Sequence, residues 1–240
     1  MDHRWRPLKA AAASLGVAAV LGGLAGCGDA DGGAAAQEAD PNAEAATRLN
    51  EAQMVQFGEA DLLADQSETG TYAQLASVRR TEELREDTEL DKPQCMDAVN
   101  QWGRLPEVRE APASVASFGG PGATITHTLI GLSEQAAVKA LDAAPPEECA
   151  SYEATVENGL KAPYTLRDLD LATVGEESRA FVVETEVQGE PVLLYGMVYR
   201  NGDYLGSTSV LGPDADALED TLVEFSEAAL EREEKVLGRG

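Results

Sequence analysis

Among these 240 residues, the side chains whose types and spacing could do chemistry are few. Cys95 and Cys149 show no Cys-x-x-Cys spacing, which weakens metal-site and redox-thiol readings. In an oxidising compartment they read as one disulfide, closing a loop of about 55 residues. His127 alternates with Ile125 and Leu129, so it shares a strand face with two apolar residues. A Ser–His–Asp triad would have to use His127, with Ser117 or Ser209 as nucleophile. A hydrogen-bonded core or cleft histidine is the plainer reading, and pH sensing is a third, since imidazole titrates near neutrality. Asp168 and Asp170, at i and i+2, would suit acid–base work or cation binding. With 43 acidic residues in the chain, such pairs also arise by coincidence. Tyr195, Tyr199 and Tyr204 fall on one sheet face. They either line a ligand cleft, together with His127, or pack under helices. No P-loop, Gly-x-Ser-x-Gly, His-Glu-x-x-His or Gly-x-Gly-x-x-Gly is present, so no catalytic residue, metal ligand or cofactor is assigned.

The third cysteine has a different chemistry. Cys27 follows Leu24-Ala25-Gly26, an apolar run from Ala10 to Leu24 and a basic start containing Arg4, Arg6 and Lys9. That order is the pattern of a secretory signal peptide. The run is 15 residues, short of the ~20 that span a bilayer. The cysteine directly after small residues is similar to a bacterial lipobox. The similarity implies cleavage before Cys27, a diacylglyceryl thioether on its sulfur, and acylation (palmitate-type) of the new N-terminus. Multiple acyl chains hold a protein on a membrane far more firmly than one. The expected location is therefore the extracytoplasmic face of the plasma membrane. Residues 28–47, rich in Ala, Gly and acids, read as a flexible tether, because they cannot bury enough surface to offset their ordering entropy.

The chain holds 18 basic and 43 acidic residues, a net charge of −25. Removing residues 1–26 leaves 15 and 42, or −27. This argues against nucleic-acid binding, which needs clustered Lys and Arg. It also argues against electrostatic adhesion to anionic headgroups, so the lipid must do the anchoring. The remaining 193 residues, 48–240, suit a single domain.

The elements that must position these residues can be read along that domain. Part of Arg48 to Ala64 reads as helix, Ser67 to Tyr72 as a turn, and Leu75 to Val78 as the opening of a strand. The acidic run Thr81 to Lys92 reads as a solvated helix face or loop, and Cys95 to Trp102 as a short helix. Ala113 to Phe118 and Ala123 to Leu132 are strands joined through Gly119-Gly120-Pro121-Gly122. Ser133 offers an N-cap to a helix reaching Ala144, stopped by Pro145-Pro146. Strands follow at Pro163 to Leu171, Arg179 to Val187, Val192 to Arg200 and Asp203 to Leu211. Asn201-Gly202 predicts the last hairpin, with Tyr199 opposite Tyr204 and Arg200 opposite Asp203. Pro213-Asp214 opens a helix to Leu237, with Leu218, Leu222, Phe225 and Ala229 on one stripe. Hairpin links imply antiparallel pairing. The expectation is an α+β fold: a twisted antiparallel sheet of about six or seven strands with helices on one face.

That layout resembles the extracellular sensor domain family of actinobacterial receptor serine/threonine kinases (the PknH-like sensor family) and related stand-alone lipoproteins. The likeness lies in order. A lipobox and an early helix precede Pro93-Gln94-Cys95; Cys149-Ala150-Ser151-Tyr152 and Tyr164-Thr165-Leu166 precede the strands from Phe181 to Val210 and the final helix. The resemblance covers residues 48–237 and implies a non-enzymatic cleft for an extracellular ligand. The chain departs from the kinase sensor in having one cysteine pair in place of two and no kinase or transmembrane helix. The expected domains are therefore a signal peptide at 1–26, a lipidated tether at 27–47 and a sensor-like domain at 48–240. Expected partners are the membrane through Cys27 and a small ligand or envelope protein. A structural or assembly role, or a carboxylate-dependent envelope hydrolase, are the alternatives.

Overall fold

The computed structural model describes residues 40–156, 159–187 and 189–238. The signal peptide, Cys27 and the tether up to residue 39 lie outside the described residues. Helix α1, Ala43–Ala52, begins inside the stretch expected to be tether, so residues 43–47 belong to the fold. The short strands β1 (Gln56–Phe57), β2 (Ala60–Leu62) and β3 (Glu68–Thr71) follow. Next come α2 (Ala76–Glu86), β4 (Glu89–Leu90) and α3 (Pro106–Arg109). The segment from β4 to α3 holds two 3-10 turns, Pro93–Cys95 and Gln101–Arg104, where a short helix is expected. The hairpin β5 (Pro112–Gly120) and β6 (Ala123–Gly131) leads to α4 (Glu134–Leu141), capped by the Ser133 hydroxyl on the Ala136 N–H. A 3-10 turn at Glu147–Ala150 precedes β7 (Ser151–Val156), β8 (Leu160–Leu169) and β9 (Glu177–Val187). The chain closes with β10 (Glu190–Asn201), β11 (Tyr204–Gly212) and α5 (Ala215–Leu237), capped by Asp214.

These strands form one eleven-stranded sheet in the order β1-β2-β5-β6-β11-β10-β9-β8-β7-β4, with β3 also on β5. Every pairing is antiparallel. The count exceeds six or seven because β1, β2 and β4 are too short to show alternation. In addition, β3 runs through polar Glu68-Thr69-Gly70-Thr71, which reads as a turn, and β7 (Ser151–Val156) carries no strand assignment from the sequence. Residues 76–78 are helix, not strand. The carboxylate of Glu68 accepts from the N–H groups of Ala76 and Ser77, a cap supplied from eight residues upstream.

Helices cover both faces of the sheet, not one. Leu49 and Ala52 of α1 and Leu218, Leu222, Phe225 and Ala229 of α5 pack on Phe118, Ile125, Leu129, Val182, Met197 and Val210. The other face carries Val115, Ile130, Phe181, Val183, Val198 and Leu205 under Val108, Ala140, Leu141 and Trp102. The central strands are apolar at both parities, as strands buried on two sides must be. The Cys95–Cys149 disulfide forms, and it ties the turn before Met96 to the turn before β7 on that second face.

The last hairpin is shifted by one residue on each strand. Asn201 pairs with Tyr204, and Tyr199 faces Gly206, leaving Gly202 (φ 60°) and Asp203 as the turn. Asn201 is drawn into the ladder and its amide donates to the Tyr204 hydroxyl at 2.9 Å. The shift preserves parity, so Tyr199 and Tyr204 still share a face.

Candidate functional site

His127 stands on β6 with no exposed surface, beneath α5. Its Nδ1 lies 2.8 Å from Gln53 Oε1, and its Nε2 lies 3.0 Å from the Tyr199 hydroxyl. That hydroxyl is 2.6 Å from Glu233 Oε1 on α5, and Glu233 is also fully buried. Gln53 Nε2 donates to the carbonyls of Ser114 (3.0 Å) and His127 (3.4 Å), which orients Oε1 toward the ring. Nδ1 must then carry a proton. The Tyr199 hydroxyl meets Nε2 on one side and donates to Glu233 Oε1 on the other. The result is a buried hydrogen-bond chain running Glu233, Tyr199, His127, Gln53.

Burial pushes Glu233 up to about 8, the Tyr199 hydroxyl offsetting only part of it. Burial also pushes His127 down to about 3, so this histidine does not titrate near neutrality. The expected pH sensing by its imidazole is not supported; Glu233 is the group of the pair that titrates nearest to neutrality.

The pH dependence follows by linkage. Glu233 is raised from its unfolded value of 4.5, so the stability it confers is complete below pH 4.5 and lost as pH rises toward 8. His127 is lowered from 6.5, so its contribution is complete above pH 6.5 and lost as pH falls toward 3. Between 4.5 and 6.5 folded and unfolded chains hold one proton each on this pair, and the two slopes cancel. From pH 6.5 to 8 only Glu233 acts, and about 2 kcal/mol disappears. Urea unfolding of the wild type and Glu233→Gln across this range checks it: the difference between their stabilities narrows or reverses toward pH 8. Parallel curves would show Glu233 ionised throughout.

Of the four residues expected to bind ligand, His127 and Tyr199 are joined directly. Tyr204 is held by Asn201 nearby, and Tyr195 sits further along β10. All four are at most 5% exposed, in the layer between the sheet and helices α1 and α5. They form core, not the wall of an open cleft. Ser117 and Ser209 project from the opposite face, because each is one residue out of phase with the strand positions facing α5. Neither can serve His127 in a triad. Asp168 and Asp170 are exposed, and Asp170 lies past the end of β8. No metal-holding cluster occurs among the described residues.

The open site lies on the second face. A cleft of about 940 Å³ is roofed by α2 and the 3-10 segment around Trp102. Its floor is a patch of hydroxyls. Ser117, Thr126 and Ser209 stand abreast on β5, β6 and β11, and Thr128 and Ser207 form the next row. Gly196 follows Ser209 in the first row, and the Phe181 ring lies over it; a Cβ there would come within 2.3 Å of that ring. Val78, Val99, Leu194, Tyr72 and Trp102 complete the walls. The rim arginines are mostly engaged: Arg85 binds Asp97 and Arg109 binds Glu82, each at 2.6 Å. Sequence reasoning singled out Ser117 and Ser209 only as nucleophiles. The signal that marks the floor is hydroxyls at alternate positions of β6 and β11, out of phase with Ile125, His127 and Val210.

No family model matches the chain, and no curated protein matches it. Among solved structures it is similar to the crystal structure of the extracellular domain of PknH from Mycobacterium tuberculosis. The identity is 7%, and the TM-score is 0.44 over 60% of this chain and 78% of that one. A likeness at that level assigns neither a family nor a ligand.

Proposed function

We propose that the chain is an extracytoplasmic lipoprotein, anchored through Cys27, whose domain binds a small ligand without transforming it. The observation that carries the binding role is the cleft beneath α2. At about 940 Å³ it falls within the range of small-molecule sites and combines apolar walls with convergent polar groups. The non-enzymatic part is supported by the separation of its hydroxyls from His127, which sits on the opposite face of the sheet. The compartment is supported by the buried disulfide, since such bonds persist in oxidising environments. No described helix is long and apolar enough to cross a membrane. Attachment through the lipobox cysteine rests on the sequence pattern Leu24-Ala25-Gly26-Cys27.

Two measurements test the two halves. Cys27→Ser is expected to move the protein from the membrane pellet to the soluble fraction with its melting temperature unchanged. An unmodified Cys27 in the intact mass of the membrane-extracted wild type would refute lipid anchoring. Native mass spectrometry of the protein from its own envelope is expected to show a non-covalent mass that vanishes on denaturation. Bare polypeptide would turn the assignment toward a protein partner.

A further inference from the structure

We infer that the cleft takes a neutral polyhydroxylated ligand of the saccharide class, an inference that rests on the ligand-binding reading above. The floor argues first. Thr126, Thr128, Ser207 and Ser209 are partly exposed, and their hydroxyls have no hydrogen-bond partner among the described residues. Neighbouring strands are about 5 Å apart, and alternate residues on one strand about 7 Å. The patch is thus a small grid of groups that each donate and accept. β-branched threonine on a strand has few rotamers, so these groups are held in place before a ligand arrives.

The wall is polar as well, with Asn100 and Tyr72 among its residues. Asn100 gives its Nδ2 to the Tyr72 hydroxyl at 3.4 Å, while its Oδ1 is buried without a partner. Sugar hydroxyls, each a donor and an acceptor, satisfy a floor of this composition. An acyl chain would leave every one of these groups unpaired, the costly outcome for a polar group taken out of water.

Charge argues second. Five charged residues line the cleft: Asp65, Glu68, Arg80, Arg85 and Arg109. Glu68 caps α2, and Arg85 and Arg109 are neutralised by Asp97 and Glu82. Glu68 keeps its charge as a cap, so with Asp97 and Glu82 counted the group carries a net −1, and the cleft offers no cationic excess to an anionic occupant.

Trp102 supplies the readout. Trp102 lines the cleft, and the other tryptophan of the sequence, Trp5, falls in the signal peptide that processing removes, so Trp102 is the sole emitter of the mature chain. The mature lipidated chain in a polyoxyethylene detergent is titrated with maltotriose, mannotriose and N,N′,N″-triacetylchitotriose, and separately with oleate and inorganic phosphate. The expected result is a saturable change in Trp102 emission with at least one trisaccharide, little altered by salt. Thr126→Val combined with Ser209→Ala weakens it by about tenfold or more. Thr128→Val gives an independent loss should the first pair disturb folding. A response to oleate alone overturns the saccharide assignment and leaves the cleft a binding site. A response to phosphate alone that is lost in Arg80→Ala does the same. Saccharide binding untouched by the hydroxyl variants overturns the assignment of the floor. Silence from every probe, with no retained mass in native spectrometry, overturns both readings.

Discussion

Replacing Cys95 and Cys149 together by alanine lowers the free energy of unfolding by about 4 kcal/mol, a fall in melting temperature of roughly 10 °C. The two residues are 54 apart in sequence and almost fully buried, and the bond removes loop-closure entropy from the unfolded chain. The effect reaches the cleft as well. Residues 87–111 contain little regular structure, yet they carry Val99, Asn100 and Trp102 of the cleft wall. The disulfide fastens that segment to the turn before β7. Thermal unfolding with and without reductant measures the first effect, and Trp102 emission at temperatures below the transition measures the second. An unchanged melting temperature would mean that neighbouring packing, not the cross-link, holds the segment.

Phe225→Ala costs about 4 kcal/mol. Phe225 is fully buried on α5, with Phe57, Phe118 and His127 around it at ring-centroid distances of 5.0, 5.3 and 5.5 Å, all edge to face. Truncation removes the transfer energy of the ring and leaves a cavity beside the buried polar chain. Phe225→Leu, which keeps most of the apolar volume, costs less. Urea unfolding at fixed pH gives both values. A second consequence separates this variant from a simple core deletion. Water admitted beside His127 relieves the burial that raises Glu233, so the loss of stability between pH 6.5 and 8 shrinks in Phe225→Ala. Equal alkaline slopes would show that the ring does not shield the pair.

Strong periodicity made part of this fold legible from sequence. Leu218, Leu222, Phe225 and Ala229 recur at four, three and four, and all are buried as expected. The hairpins around residues 121–122 and 202–203 were marked by glycine turns, and Ser133 and Asp214 cap the helices they precede. Helix α2 was hidden because its cap, Glu68, lies on another element. The turns at Pro93–Cys95 and Gln101–Arg104 were hidden because a disulfide and a tryptophan hold them, not a repeating apolar face.

The site divides along the same line. The face of His127 followed from Ile125 and Leu129. Its partners did not, because Gln53 and Glu233 are 74 and 106 residues away and meet it only when α1 and α5 pack. The floor of the cleft follows strict alternation, but Ser and Thr at every second position read as solvent-facing on a sheet taken to be covered on one side. Only the second layer of helices makes that row an enclosed surface.

The sheet also limits itself. Its terminal strands are Gln56–Phe57 and Glu89–Leu90, two residues each, at opposite ends of the strand order. A row of two leaves a neighbouring chain almost no ladder to extend, and short edges are how natural sheets discourage lateral growth. Copies of this domain can therefore be concentrated side by side without zipping into a continuous ribbon.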